Sequence, residues 1–129
     1  MRYINLLHKV SGVSTRNCFV YNNVIIFSVS DKNMSRAIGP SGKNIKYIQE
    51  KLGKKVRIVK ESLGIEDATR FVGDVVSPVT FISLELKNDI FILTAGIRSK
   101  AALIGRNRRR LLELSKIVED NFGKDLKIV

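Results

Sequence analysis

The sequence predicts an α+β protein made of two consecutive copies of one unit, each a three-stranded sheet covered by helices on one face. Three observations carry this. The chain repeats itself at a displacement of 66 residues. Helix-period and strand-period apolar runs follow one order, α-β-β-α-α-β, in both copies. At 129 residues, 44% hydrophobic and 27% charged, the chain can bury a core and is expected to be ordered.

The repeat is a matter of order more than identity. "VSGV" at 10–13 meets "VSPV" at 76–79, Asn22 meets Asn88, Ile26 meets Ile92, and Ile38-Gly39 meets Ile104-Gly105. Ile45, Ile48 and Leu52 have helical spacing, as do Leu111, Leu114 and Val118 at the same offset. The second copy then has about one extra helical turn, so that "LGKKVRIV" meets "FGKDLKIV" at an offset of 70.

The elements follow in order. A first helix is expected over about 2–11 and about 66–76, the second opening on Glu66-Asp67, acids that suit a helix N-terminus. Hairpins follow: "NCFVY" and "VIIFSV" around Asn22-Asn23, then "VTFISLEL" and "IFILTA" around "KND". A short helix comes next, opened by Ser30 as N-cap and closed at Gly39. A tight turn leads to a longer helix, about 42–52 and about 107–121, stopped by Gly53 or Gly123. The strands "KKVRIV" and "DLKIV" complete the units. The join, "ESLG" at 61–64, is too short for a flexible tether, so rigid packing of the units is expected.

Several function classes are disfavoured. No run approaches the roughly 18 apolar residues of a membrane helix. The N-terminus has no long apolar core with a small-residue cleavage site, so no signal peptide is read, and a cytoplasmic location is expected. Cys18 alone excludes an intramolecular disulfide framework. Cys18 and His8 make no zinc set, so neither metal nor cofactor is expected. His8 reads as a structural or surface residue, Cys18 as a small apolar filler, and Glu119-Asp120 as surface charges. No catalytic constellation stands out, which argues against an enzyme and against a small-molecule substrate. Aromatics are sparse at 7%, with no Trp, so a stacking platform of the RRM or OB kind is not expected, and Phe19, Phe27, Phe81 and Phe91 are expected in the core.

Charge is the strongest bulk signal. The formal net charge is +11. Residues 1–64 carry 12 basic and 3 acidic side chains, a net +9, whereas residues 65–129 carry 11 and 9, a net +2. Such an excess repels itself and does nothing for the fold, so a polyanionic partner is expected, nucleic acid before an anionic membrane.

The stretch "RAIGPSGKNIKYIQ", residues 36–49, concentrates the question. A nucleotide phosphate loop would need glycine at position 37 and Ser or Thr after Lys43; the chain has Ala37 and Asn44, and a helix precedes the turn. A plain helix corner explains Gly39, Pro40 and Gly42. It does not explain Lys43 and Lys46 in the first helical turns, where the helix dipole disfavours each cation by roughly 0.3–1 kcal/mol. Arg106, Arg108, Arg109 and Arg110 crowd the matching helix start. Backbone N–H groups at a helix N-terminus point outward to receive an anion, and small residues let a bulky backbone come close.

"IGPSGKNI" resembles the I-G-x-x-G-x-x-I signature of the KH domain, whose GXXG loop clamps about four nucleotides of a single strand. The element order resembles the type II form, and two such units in a short basic chain resemble the archaeal NusA-like proteins of transcription elongation and termination. The resemblance implies two tandem type II KH domains, 1–62 and 63–129, binding single-stranded RNA, with RNA polymerase a further candidate partner. It implies a loop of Gly39, Pro40, Ser41 and Gly42, with Lys43 beside a phosphate and Arg36 and Lys46 flanking the path. Ile38 and Ile45 would floor a groove against strand 55–60, where Lys55 and Arg57 add charge. Both isoleucines read equally well as plain core. The second copy, "IGRNRRRL", keeps Gly105 but has Arg108 where Gly42 stands. Arg106, Asn107, Arg108 and Arg109 are expected to hold phosphates by charge and bidentate bonds, with a protein-contacting or structural role as the alternative. Within the same class, ribosome assembly or rRNA processing is the competing reading. From another class, the basic face would dock on an acidic polymerase surface.

Overall fold

The computed structural model describes residues 2–15 and 17–129. It divides into two compact units, 1–61 and 62–129. In the first, α1 (Arg2–Ser11) is followed by β1 (Asn17–Tyr21), β2 (Val24–Val29), α2 (Met34–Ile38), α3 (Lys43–Leu52) and β3 (Lys55–Lys60). In the second, α4 (Ala68–Val76) is followed by β4 (Ser83–Lys87), β5 (Ile90–Thr94), α5 (Ile97–Ile104), α6 (Arg109–Phe122) and β6 (Asp125–Ile128). Each unit has a three-stranded sheet, β1-β2-β3 or β4-β5-β6, with an antiparallel hairpin and a third strand parallel to the central one.

Local chemistry sets these elements. Both hairpins turn on two residues with positive φ, Asn22 (53°) and Asn23 (61°), then Asn88 (51°) and Asp89 (63°). These values are those of the primed turns that match strand twist, and Asn and Asp tolerate them best after glycine. α3 and α6 both end on a left-handed glycine, Gly53 (φ 65°) and Gly123 (φ 66°). α6 is four residues longer than α3, which is the extra turn read from the sequence.

Three local expectations change. α4 begins at Ala68, not at 66, because Ile65–Asp67 form a 3₁₀ turn. Asp67 accepts from the Leu63 amide at 3.1 Å and pairs with Arg70, which also reaches Asp74 at 2.9 Å. The strand expected from Val79 starts only at Ser83, after a cis Ser77–Pro78 peptide. Ser30 does stand at an N-cap position, but of a 3₁₀ turn (Asp31–Asn33) that runs into α2, and its buried hydroxyl makes no capping bond.

The first core joins Leu7 of α1, Ala37 of α2 and Ile48 of α3 to Ile25, Phe27 and Val29 of β2 and Val56 of β3. Burying each large side chain contributes about 1.5–3 kcal/mol. All three helices therefore sit on one face of their sheet. β2 departs from simple alternation: Ile26 and Ser28 on its other face are fully buried too. A near-continuous apolar run such as "VIIFSV" is what a strand covered on both faces needs. In the second unit Phe71, Leu93, Leu103, Leu114 and Val118 are buried, and Phe122 meets Phe71 and Phe91 edge-on at 5.8 and 5.5 Å. Phe27 and Phe91 are core residues as expected, whereas Phe19 and Phe81 are only half-buried.

Cys18 packs against the first core, and burial pushes its thiol up to about 11. The folded protein is thus expected to react slowly with iodoacetamide at pH 8, and the unfolded chain quickly. Linkage gives the sign. The unfolded thiol ionises near 9.0 and the folded one near 11, so this contribution to stability is present below pH 9 and lost as pH rises through 11. Equal alkylation rates before and after unfolding would contradict it.

No helix among the described residues is long and apolar enough to cross a membrane. No group of three or more His, Cys, Asp or Glu among them could hold a metal ion.

Candidate nucleic-acid interface

The corner between α2 and α3 is built by four residues of distinct conformation. Gly39 has φ 81° and ψ 167°, a region open only to glycine. Pro40 follows, Ser41 (φ 54°, ψ 29°) and Gly42 (φ 73°, ψ 20°) are both left-handed, and α3 starts at Lys43. The turn uses two of its own amides: Gly42 N–H donates to Gly39 O at 3.1 Å and Lys43 N–H to Pro40 O. The expectation that the helix-start amides all point outward is corrected to that extent.

The two glycines do different things. A Cβ on Gly39 would lie 2.8 Å from Asn44 Cγ and 3.0 Å from the Asn44 backbone nitrogen. A Cβ on Gly42 would meet nothing within 4 Å. Packing and backbone geometry therefore demand glycine at 39. At 42 the protein has open space.

Asn44 and Arg36 hold this corner in place. Asn44 Nδ2 donates to Arg36 O at 2.9 Å. Arg36 in turn donates from Nη2 to Gly12 O at 2.7 Å and from Nε to Ser11 O at 3.3 Å, tying α2 to the end of α1. Arg36 thus gives its guanidinium N–H groups to main-chain carbonyls, a structural task for a residue expected to flank the path, while its exposed charge stays unpaired by any acid among the described residues. Arg36→Ala is expected to weaken single-strand binding several-fold while leaving the salt slope unchanged, since no phosphate partner is lost. Lys43→Ala should flatten the slope by about 0.7. A flattened slope for Arg36→Ala would make it a phosphate contact as well.

Ile38 and Ile45 are half-buried, and Ile45 packs against the first core. Both thus keep part of their surface open beside the corner. Lys43, Lys46 and Lys55 are exposed. No ion pair within 4.0 Å engages them or Lys54 among the described residues, so their charge is not neutralised locally. Lys46, Lys54 and Lys55 line an open depression of about 430 Å³ with Gln49, Glu50 and Gly53. β3 is an edge strand, and Gln49 Oε1 accepts the Val56 N–H at 3.0 Å, fastening α3 to it. Val56 and Ile58 face the helices. By alternation Arg57, in register with Ile26, faces the other way. It is half-buried and has a partner of its own, so any charge it lends the groove comes from the far side of the strand.

The second corner repeats the first. Gly105 (φ 73°, ψ 173°), Asn107 (φ 56°, ψ 29°) and Arg108 (φ 60°, ψ 20°) follow the dihedrals of Gly39, Ser41 and Gly42. Arg108 N–H donates to Gly105 O at 3.2 Å, as Gly42 does to Gly39. Gly105 is also locked, since a Cβ there would lie 2.6 Å from Arg110 Cγ. The arginines divide into two groups. Arg110 is half-buried and paired with Glu113, whereas Arg106, Arg108 and Arg109 are exposed with Asn107. Arg106, Asn107, Arg109 and Arg110 line an open depression of about 500 Å³ with Leu112.

Sequence reasoning missed Asn44, Gln49 and Tyr47. The first two act on main-chain groups of a neighbouring element, Asn44 on α2 and Gln49 on β3. Tyr47 had a signal: it follows Lys43 by four residues, on the same helical stripe.

The KH domain family matches residues 24–72. That segment opens at the first residue of β2 and contains the first corner and β3; the second corner lies outside it. Over 128 residues the chain is 26% identical to a Halococcus morrhuae protein named "Probable transcription termination protein NusA", covering 97% of this chain and 90% of that one. A protein of the same name from Methanocaldococcus jannaschii is 24% identical over 120 residues, covering 90% of this chain and 64% of that one. The crystal structure of APE1850 aligns with a TM-score of 0.68 at 30% identity, covering 99% of this chain and 96% of that one. The chain thus contains a segment that matches the KH domain family, and it is similar over nearly its whole length to a protein named NusA.

Proposed function

We propose that this chain is a non-enzymatic protein that grips single-stranded RNA through two KH units, 1–62 and 63–129, as a NusA-like transcription elongation or termination factor. One observation carries the reading. The backbone of the first corner is reproduced in the second with arginine at the place of Gly42, so the fold does not require glycine there. What Gly42 provides is bare main chain facing open space beside an unpaired Lys43. That is what a sugar-phosphate chain lying directly on the protein needs.

In this reading Gly39, Pro40, Ser41 and Gly42 form the surface on which the backbone lies. Lys43 and Lys46 hold phosphates, with Lys55 beyond them. Bases lie over Ile38 and Ile45 and meet the outer edge of β3 past Val56. At the second corner Arg106, Arg108 and Arg109, with Asn107, hold phosphate by charge and forked hydrogen bonds where close approach is lost. The name shared by the relatives supports the transcriptional role, with RNA polymerase as a protein partner.

The test is a salt titration with single-stranded and duplex RNA of equal length. Four phosphates on a single strand give a log-log slope of about −3, at about −0.7 per phosphate. The single strand should bind at least about tenfold more tightly, because a groove that reads unstacked bases excludes paired ones. Equal affinity for the two would exclude a KH groove.

A further inference from the structure

The outer face of α3 continues the basic surface past the corner, and an aromatic ring interrupts it. Lys43, Tyr47 and Lys51 recur every four residues and share one stripe of the helix. At 1.5 Å rise per residue each step is about 6 Å, the order of one nucleotide of an extended single strand. All three are exposed, Tyr47 keeping 45% of its surface. The Lys51 ammonium lies over the Tyr47 ring, 5.8 Å from its centre, so a stacked base would take the opposite face or displace it. Lys43 and Lys51 have no ion pair among the described residues, and Glu50 is the one acid in the helix. The other large side chains of α3, Ile45, Ile48 and Leu52, turn inward to the core. An exposed ring between two uncompensated cations is the arrangement by which single-strand binders stack a base while holding its flanking phosphates.

We infer that this stripe is a second binding segment for single-stranded nucleic acid, continuous with the corner. It would carry about two nucleotides beyond those held at Gly39–Gly42, with one base stacked on Tyr47 and a phosphate at Lys51. The inference rests on the proposed RNA-binding reading for its starting point at Lys43, and it lengthens the footprint from about four nucleotides to about six. A duplex cannot use the stripe, because its bases are already stacked on one another.

The experiment compares labelled random-sequence RNA pools four and ten nucleotides long, bound to the full chain and to three variants. Tyr47→Ala should weaken the ten-nucleotide pool about tenfold and the four-nucleotide pool less than twofold. Tyr47→Phe should bind both like the parent, since the ring and not the hydroxyl is used. Lys51→Ala should flatten the salt slope by about 0.7 on the long pool only. Because these side chains are exposed, circular dichroism should be unchanged. No loss on the long pool, or equal loss on both, overturns the inference. Gly42→Asp, run alongside, separates the two readings. If it leaves the short pool bound while Tyr47→Ala still weakens the long one, the corner fails and the stripe stands. If it removes short-pool binding while Tyr47→Ala changes nothing, the stripe fails and the corner stands.

Discussion

Gly42→Asp is expected to lower the affinity for four-nucleotide single-stranded RNA by at least about 30-fold while leaving the protein folded. A carboxylate on this residue stands where the phosphate chain is proposed to lie. Two like charges about 4 Å apart repel by about 1–4 kcal/mol over the range of effective dielectric near a protein surface. The side chain adds the loss of close approach. Stability should change by no more than about 1–2 kcal/mol, the cost of a left-handed non-glycine residue. The protein already holds one there, since Arg108 has φ 60° in a backbone of the same shape. Fluorescence anisotropy with a labelled oligonucleotide and a thermal melt read the two quantities separately. Unchanged affinity would remove the corner from the account, and a collapsed melt would mean that the fold, not the ligand, needs this glycine.

Gly39→Ala should do the reverse: a large loss of stability before any question of binding. Its φ of 81° and ψ of 167° lie where a side chain costs about 1–3 kcal/mol. The added Cβ would stand 2.8 Å from Asn44 Cγ and 3.0 Å from the Asn44 backbone nitrogen. The side-chain part could move only by giving up the bond to Arg36 O, and the backbone part cannot move without unwinding the start of α3. Together these should cost about 2–4 kcal/mol, lowering the melting midpoint by at least about 5 °C. A midpoint within about 2 °C of the parent would show that the corner relaxes, and that Asn44 does not lock it.

These two glycines mark the limit of what a signature can say. Both occupy the fixed positions of one motif, and the motif treats them alike. One is locked by the neighbouring asparagine; the other is favoured only by its left-handed backbone and meets no neighbour. That difference is a matter of where Asn44 and Arg36 lie once α1, α2 and α3 are packed. Arg36 illustrates the same limit from the side of charge. In the sequence it is a cation beside a basic loop; in the fold it closes the end of α1 through Ser11 and Gly12. Arg57 likewise has a place in the strand pattern, but its facing depends on which residues of β3 the core takes. Val56 and Ile58 take the helix side, which sends Arg57 away.

Much was nonetheless decided by the order of residues alone. The element succession of both units, the two-residue Asn turns, the glycine stops at 53 and 123 and the extra turn of α6 all follow from local rules. Periodicity, turn chemistry and helix capping act within a few residues, so they can be read along the chain. So could the concentration of charge in the first half. Which faces of β2 are buried, which cations are already committed, and which glycine is bare because of packing and which because of open space were decided only by the tertiary structure. Each depends on atoms brought together from distant segments, and short-range patterns carry no information about such encounters.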